Sequence, residues 1–258
     1  MKRRALLASL AIVLLTAGVA LAATGFQVKT STYDPTQTFL VQAAWLDGLG
    51  CPTGAKVSLD GTTTTPYTDA ACPTGDASDS RNQGLLLAKT GPTANYASAG
   101  AQLTGVKGTV LTEVGYDIRK PTSAVDPRGS HCGAGSPRFN IVTSDGASYF
   151  LGCNSPAATT AGVGAGWLRL RWGGSVPLVA YTPGGVLTVI SGKTVTSIEI
   201  VFDEGQDTGP DNFGLAVLDN IDVNGTLVGT GQTGHGNGNG KGHGDNGDQG
   251  NDNESNDD

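Results

Sequence analysis

Histidine is scarce in this 258-residue chain, which limits the catalytic chemistry available to it. His131 lies in the body of the chain, while His235 and His243 lie near the C-terminus. Most catalytic zinc sites use two or three histidine ligands, so the single histidine in the body of the chain argues against a zinc enzyme. No Gly-x-Ser-x-Gly sequence occurs, which argues against an α/β-hydrolase.

Positive charge is also scarce. The chain has 16 Lys and Arg against 23 Asp and Glu, a net charge of −7, and loss of Lys2, Arg3 and Arg4 would make it −10. Because neutralisation of phosphates supplies most nucleic-acid affinity, an acidic chain without a basic patch is not expected to bind nucleic acid. Such a composition suits solubility and cation binding instead.

Long apolar runs are confined to the N-terminus. The basic residues Lys2–Arg4, the apolar run Ala5–Ala17 and the small residues of Ala20–Ala22 predict a signal peptide over residues 1–22. The run is short for a membrane span, which needs about 20 apolar residues. We therefore expect a secreted or cell-surface protein with no membrane span after cleavage.

Helical periodicity is absent beyond the signal, and short β-branched runs separated by Gly, Pro, Asn and Asp indicate strands. Residues 23–230 are long enough for one β-sandwich domain. Residues 231–258 contain no apolar side chain and predict a disordered acidic tail. Residues 51–82 are expected to be a loop. The predicted strands are Phe26–Tyr33, Thr38–Leu46 (alternatively a short helix), Gly84–Lys89, Val110–Arg119, the hairpin arms Arg138–Ser144 and Ala147–Gly152 around an Asp145-Gly146 turn, Gly166–Trp172, Val186–Ile190, Thr196–Asp203, Phe213–Val223 and the closing Thr226–Gly229.

Four cysteines, all in the exported part, predict disulfides. Three pairings are possible. The pairing of Cys51 with Cys72 and of Cys132 with Cys153 is favoured because each bond would close a short local loop. The alternative, a four-thiolate zinc site, lacks the usual Cys-x-x-Cys spacing.

The stretch that follows Thr196 reads as strand, acidic loop, strand. Asp219 falls among apolar residues of the second strand, so either a bulge shifts the pattern there or a carboxylate faces the core. A calcium ion would stabilise such a carboxylate, and the alternative is a solvated acidic turn with Asp219 bound to backbone amides. The candidate calcium ligands are Asp219, Asp203, Glu204, Asp207, Asp211 and Asn220.

One segment carries a family resemblance. The sequence Ala-Val-Leu-Asp-Asn-Ile-Asp-Val-Asn-Gly at Ala216–Gly225 resembles the last strand of secreted jelly-roll domains of the carbohydrate-binding-module and galactose-binding-like kind. Gly25-Phe26-Gln27 is similar to the Gly-Phe-Glu-like start of those modules. The resemblance implies an antiparallel jelly-roll β-sandwich in which Asp219 binds a structural calcium.

The polar sides of the clearest strands suggest a binding face. If these strands share one sheet, an aromatic ring for stacking on a sugar lies beside charged groups for its hydroxyls. The alternative is ion pairing on a solvent face, such as Arg169 with Glu199. The candidate ligand-binding residues are Trp167, Arg169, Arg171, Glu199 and Arg119.

The leading hypothesis is therefore an exported, calcium-stabilised, non-catalytic protein that binds a glycan or another cell-surface ligand. One alternative is a structural surface or matrix protein without a small ligand. Another is a glycosidase or lyase, because Glu113 and Asp117 are spaced to share one strand face and glycoside hydrolysis uses two carboxylates.

Overall fold

The structure is a computed structural model that describes residues 25–51, 53–58, 64–68, 79, 81–90, 96–119, 132, 136–164, 167–203 and 213–231. The predicted signal peptide and the tail beyond Gly231 lie outside the described residues. The strands in the described part are β1 (Gln27–Tyr33), β2 (Val41–Leu46), β3 (Thr53–Ser58), β4 (Thr64–Thr68), β5 (Gly84–Thr90), β6 (Ser98–Thr104), β7 (Glu113–Arg119), β8 (Arg138–Thr143), β9 (Ser148–Gly152), β10 (Thr159–Gly164), β11 (Trp167–Gly173), β12 (Val179–Tyr181), β13 (Leu187–Val189), β14 (Val195–Phe202), β15 (Phe213–Val223) and β16 (Thr226–Val228).

These strands form two large antiparallel sheets and one small one. The first sheet has the spatial order β1, β6, β14, β8, β9, β12, β13. The second has the order β10, β11, β7, β15, β5, β2, with β16 paired to β15, while β3 and β4 pair with each other. The predicted all-β fold, an antiparallel β-sandwich of jelly-roll type, is confirmed.

The inner faces of the two sheets meet in one hydrophobic core. Tyr116 and Trp172 of the second sheet pack against Phe139 of the first, with ring centroids 5.4–6.0 Å apart. Tyr116 and Trp172 are also hydrogen-bonded to the backbone. Tyr116 Oη donates to the carbonyl of Pro137, and Trp172 Nε1 donates to the carbonyl of Pro156. These aromatics therefore hold the sheets together while leaving no polar atom of theirs unpaired.

One side of the sandwich is closed by an edge-to-edge contact. Trp45 in β2, the last strand of the second sheet, donates from Nε1 to the carbonyl of Val28 in β1, at a distance of 3.1 Å. Val28 itself is buried in the core. The β1 edge of the first sheet is thus covered.

Residues on either side of the 52–80 segment are bonded to each other. Gly48 and Gly50 donate their N–H groups to the carbonyls of Arg81 and Asn82, and Gln83 Nε2 donates to Asp47 Oδ1. This paired stem fixes where the chain leaves the second sheet and where it returns.

Most strand predictions are confirmed, with corrections. Residues 51–82 are not all loop, because they contain β3 and β4, whose Thr-rich sequence favours extended backbone. Arg138 lies opposite Gly152 rather than Cys153, and the hairpin loop has three residues, Ser144–Gly146, with Gly146 at positive φ. Strands β6, β10 and β12 were not predicted from the sequence.

The disulfide prediction is confirmed for Cys132 and Cys153. Cys51 is also disulfide-bonded, and its predicted partner Cys72 lies outside the described residues. Within the described ranges, no helix is long and apolar enough to cross a membrane.

The core packing gives a direct test. Phe139→Ala removes a fully buried ring between the two sheets and should lower the free energy of unfolding by about 3–5 kcal/mol in urea denaturation. The matched control is Phe39→Ala, which truncates a ring that is 85% exposed and should change stability by less than about 0.5 kcal/mol. Equal losses in the two variants would contradict this packing.

Candidate functional site

A bulge in β15 decides which of its acidic residues face the core. Before the bulge Leu218 packs in the core, and after it Ile221 does so. The pairing with β7 shifts between Asp219 and Asp222, and Asn220 has a φ of 45° at that point. The extra residue lets the acidic positions on both sides of the bulge face away from the core. Of the two explanations for the sequence pattern, the bulge is the correct one.

Asp219 is nevertheless buried, with 2% of its surface exposed, because a neighbouring segment covers it. The backbone N–H groups of Cys51 and Asn220 donate to its two carboxyl oxygens, both at 2.6 Å. Burial raises the pKa of this carboxyl well above its usual range, and nearby Asp117 and Asp79 raise it further. Asp219 is thus held by backbone amides, but it is buried and not part of a solvated turn.

Asp117 lies beside Asp219 in the sheet and is completely buried. Arg169 binds both of its oxygens at 2.8 Å, Arg171 lies 3.3 Å from one, and the Asn220 amide donates to the other at 2.9 Å. Every oxygen of the carboxylate is therefore engaged by charged or amide donors. This arrangement leaves Asp117 unavailable as the catalytic acid or base considered from the sequence.

Arg171 crosses the sheet over Gly115. A Cβ at position 115 would collide with the Cδ of Arg171 and the carbonyl oxygen of Leu170. In that space Arg171 also pairs with Asp222, at 3.0 Å, and donates to the carbonyl oxygens of Leu170 and Asn220. One guanidinium thus links the carboxylates on both sides of the bulge.

Glu113, the second carboxylate of the suggested catalytic pair, interacts with Asp222. Burial and a hydrogen bond with Glu113 raise the pKa of Asp222 to about 7, while Arg171 opposes the rise. The N–H of Gly225 also donates to Asp222. Asp222 is buried, whereas Glu113 is half-buried at the start of β7.

Trp167 does not form an exposed platform. Its side chain is 2% exposed and packs with Cys51 and Val217, and the Arg119 guanidinium lies 5.4 Å from the ring centroid. Alternation in the sequence correctly predicted that the ring lies on the outer side of β11. What alternation cannot show is that the chain around Cys51 covers that side.

The premise that the clearest strands share a sheet is wrong for β14. Glu199 lies in the first sheet between β6 and β8, whereas Arg169 and Arg171 lie in the second sheet beside β7. Arg169 consequently pairs with Asp117 rather than with Glu199. Alternation tells which residues of a strand share a side, but not which sheet the strand joins.

The described members of the predicted calcium set do not fit a shared site. Asp203 follows β14 of the first sheet, and both its oxygens accept from Arg138 at 2.7 Å, while Asp219 lies in the second sheet. No group of three or more potential metal-binding side chains occurs in the described part of the chain. The other candidates lie outside the described residues: Glu204, Asp207 and Asp211.

A different surface, the outer face of the first sheet, carries a row of side chains that crosses all seven strands. Each member pairs with the next in the strand register, and all but the member on β13 are next to a core residue in their own strand. We call this set the transverse row. It consists of Lys29, Gln102, Glu199, Asn140, Phe150, Tyr181 and Leu187.

The transverse row is accessible and partly held in place. Its members are half-buried or exposed. Asn140 Oδ1 accepts from Arg138 Nε at 3.2 Å, and the Tyr181 hydroxyl accepts from Ser155 Oγ at 3.2 Å. Sequence reasoning missed the row because it needs β6 and β12, which were not predicted, and the order of the strands.

Comparison with known proteins gives structural similarity alone. No family model and no curated protein matches the chain. Among solved structures, it is similar to a family 11 carbohydrate-binding module from Clostridium thermocellum, solved with a β-1,3-1,4-mixed-linked tetrasaccharide (14% identity, 78% of this chain and 90% of that chain, TM-score 0.35). A family 11 module of a cellulosomal cellulase of that organism gives 12% identity, 81% and 91% coverage, and a TM-score of 0.35.

A third similar structure is the enzymatically active domain of tailspike protein 4 from bacteriophage CBA120. It shares 10% identity over 80% of this chain and 20% of that chain, with a TM-score of 0.33. The carbohydrate-binding modules are the class of protein to which the last-strand motif pointed.

The buried carboxyl groups predict how stability depends on pH. The pKa of Asp222 is higher in the folded state than its ordinary value, so its contribution is complete in acid and is lost as pH rises through about 7. The raised pKa of Asp219 acts in the same direction. The melting temperature should therefore fall between about pH 5 and about pH 8.5.

Asp222→Asn keeps a polar side chain beside Glu113 but removes the carboxyl group that titrates. The melting temperature of this variant should therefore fall less with rising pH than that of the wild type. The control is Asp145→Asn, because the pKa of Asp145 is lowered by Lys193 and the group titrates below this range. A wild-type melting temperature that is constant over the range would contradict the assignment.

Proposed function

We propose that the protein is an exported, non-catalytic binding protein for a glycan or another cell-surface ligand, and that the ligand lies on the transverse row. The observation that carries the proposal is the pairing of aromatic and hydrogen-bonding side chains along one accessible line. Phe150 and Tyr181 are cross-strand neighbours, and Asn140, Glu199 and Gln102 continue the line.

The chemistry of the row suits a sugar. A sugar ring has an apolar face of C–H groups that stacks on an aromatic ring, and hydroxyls at its edge that need polar partners. Phe150 and Tyr181 offer the rings. Asn140 and Gln102 offer amide donors and acceptors, and Glu199 offers a carboxylate acceptor. A few polar groups beside an apolar surface are the usual composition of a ligand site.

The dimensions of the row suit an extended ligand. Neighbouring strands lie about 4.8 Å apart, so a row across seven strands is about 29 Å long. A chain of sugars that crosses the strands would meet aromatic rings and polar groups in succession. Arg138, which binds Asn140 and Asp203, holds the polar part of the row in position.

The same row supports binding rather than hydrolysis. Glycoside hydrolysis uses two carboxyl groups, and the row contains one, Glu199. Asp117 is saturated by its partners in the other sheet. Export is supported by the disulfide between Cys132 and Cys153, because disulfides persist in oxidising compartments.

Retention on insoluble polysaccharides tests the proposal. Phe150→Ala and Tyr181→Ala should each weaken binding about tenfold, which corresponds to about 1.4 kcal/mol, because each removes a stacking surface. Tyr96→Ala is the matched control, since Tyr96 is exposed and lies outside the row. Affinity electrophoresis and thermal melting of all three variants separate lost binding from lost folding.

The outcomes distinguish the alternatives. If the row variants bind as well as the wild type, the site is elsewhere. If no polysaccharide in a broad panel retains the wild type, a structural surface or matrix protein is the better explanation. Release of new reducing ends, or of unsaturated sugars, would identify a glycosidase or lyase.

We further propose that calcium stabilises the protein with Glu204, Asp207 and Asp211 as ligands, because three carboxylates lie close together in the sequence there and calcium prefers oxygen ligands. Chelation by EGTA should then lower the melting temperature, and added calcium should restore it. Asp207→Asn combined with Asp211→Asn should remove the response, whereas Asp145→Asn, in the β8–β9 loop, should retain it. A wild type insensitive to EGTA would contradict the proposal.

A further inference from the structure

The last strand of the first sheet, β13, has an open edge whose hydrogen-bonding pattern can be determined. Thr182 donates its N–H to the carbonyl of Val186, and Ile190 donates to that of Leu178. In an antiparallel pair, alternate residues direct their N–H and C=O groups to the same neighbour. The backbone groups of Leu187 and Val189 therefore point away from β12, towards an edge that no described strand covers.

Apart from its short length, this edge lacks the usual protection against strand pairing. Natural sheet edges are very short, carry charged side chains, prolines or bulges, or are covered by other segments. Residues 173–192 include no charged residue, and β13 contains no proline. Val186, Leu187 and Val189 are 62%, 50% and 56% exposed. The opposite edge of the sheet carries Lys29 and is covered through the Trp45 contact.

The net charge of the chain indicates which partner fits the β13 edge. The chain has a net charge of −7, so two copies repel each other over most of their surfaces. A charge-free edge is a place where they can approach without bringing like charges together.

The edge is also complementary to itself. About a two-fold axis at Thr188, Leu187 of each copy lies opposite Val189 of the other, and these residues carry the outward-pointing backbone groups. The two pairs can exchange four backbone hydrogen bonds. Their apolar side chains then meet on the outer face.

We propose that two copies of this protein associate through antiparallel pairing of β13 about this axis, which joins their first sheets into one continuous sheet. The contact is small, because β13 has three residues, so the dimer is a weak one that dissociates on dilution. It places the transverse rows of the two copies nearly end to end on one face, offset by two residues along the strand. The association itself does not depend on ligand binding.

Sedimentation velocity over a range from about 1 µM to about 500 µM tests the association, because the range brackets weak protein contacts. The wild type should shift from monomer to dimer. Val189→Lys places a charge at the edge and should keep the protein monomeric. The matched control, Val110→Lys, changes a valine that is 51% exposed elsewhere and should leave the shift unchanged.

Cross-linking tests the register of the pairing. Thr188→Cys should give a disulfide-linked dimer under mild oxidation, since residues facing each other across a two-fold in an antiparallel pair have Cβ atoms about 4.5–5.5 Å apart. Val110→Cys should not. A wild type that is monomeric throughout the range would overturn the proposal, as would a dimer that survives Val189→Lys or a Thr188→Cys variant that does not cross-link. Melting temperatures of the variants confirm that each is folded.

Discussion

The second sheet is organised around the need to compensate one fully buried carboxylate. An ionised carboxylate without partners is too costly to bury, so Asp117 requires its donors. Arg169 reaches it directly, and Arg171 reaches it because position 115 is a glycine. The Asn220 amide completes the set from the bulge of β15. Strand order, a glycine and a bulge therefore serve one electrostatic requirement, the compensation of the Asp117 charge.

The outer faces of the two sheets consequently differ in character. On the second sheet, Asp117, Arg169 and Arg171 satisfy one another, and the segment around Cys51 covers Asp219 and Trp167. On the first sheet, Glu199 and Tyr181 remain accessible and have bonding capacity for another molecule. A binding face needs polar groups that are positioned but not saturated. This distinction, more than the number of charged residues, separates a structural network from a surface suited to recognition.

Alternation in the sequence was sufficient to predict the sandwich and the inward side of its clearest strands, such as that of Tyr116. It could not assign Glu199 to a sheet, because strand order arises from contacts distant in sequence. The inward side of β6 consists largely of small residues such as Ala101, which give a weak apolar signal. The position of Asp219 depended on a bulge at Asn220, a residue type that tolerates positive φ. Prediction of the transverse row required β6, β12 and the order of the strands in the first sheet.

The paired stem at Asp47–Gly50 and Arg81–Gln83 has a consequence for how this fold can vary. Because the two ends of the 52–80 segment are bonded to each other, the second sheet is complete up to the stem. Loop-closure entropy grows slowly with length, so a closed stem accepts inserts of different sizes at modest cost. The intervening sequence can therefore be lengthened or shortened, or carry a grafted peptide, provided that the disulfide of Cys51, its N–H contact to Asp219 and the hydrogen bonds of Asp79 to the N–H groups of Arg81 and Gln83 are preserved.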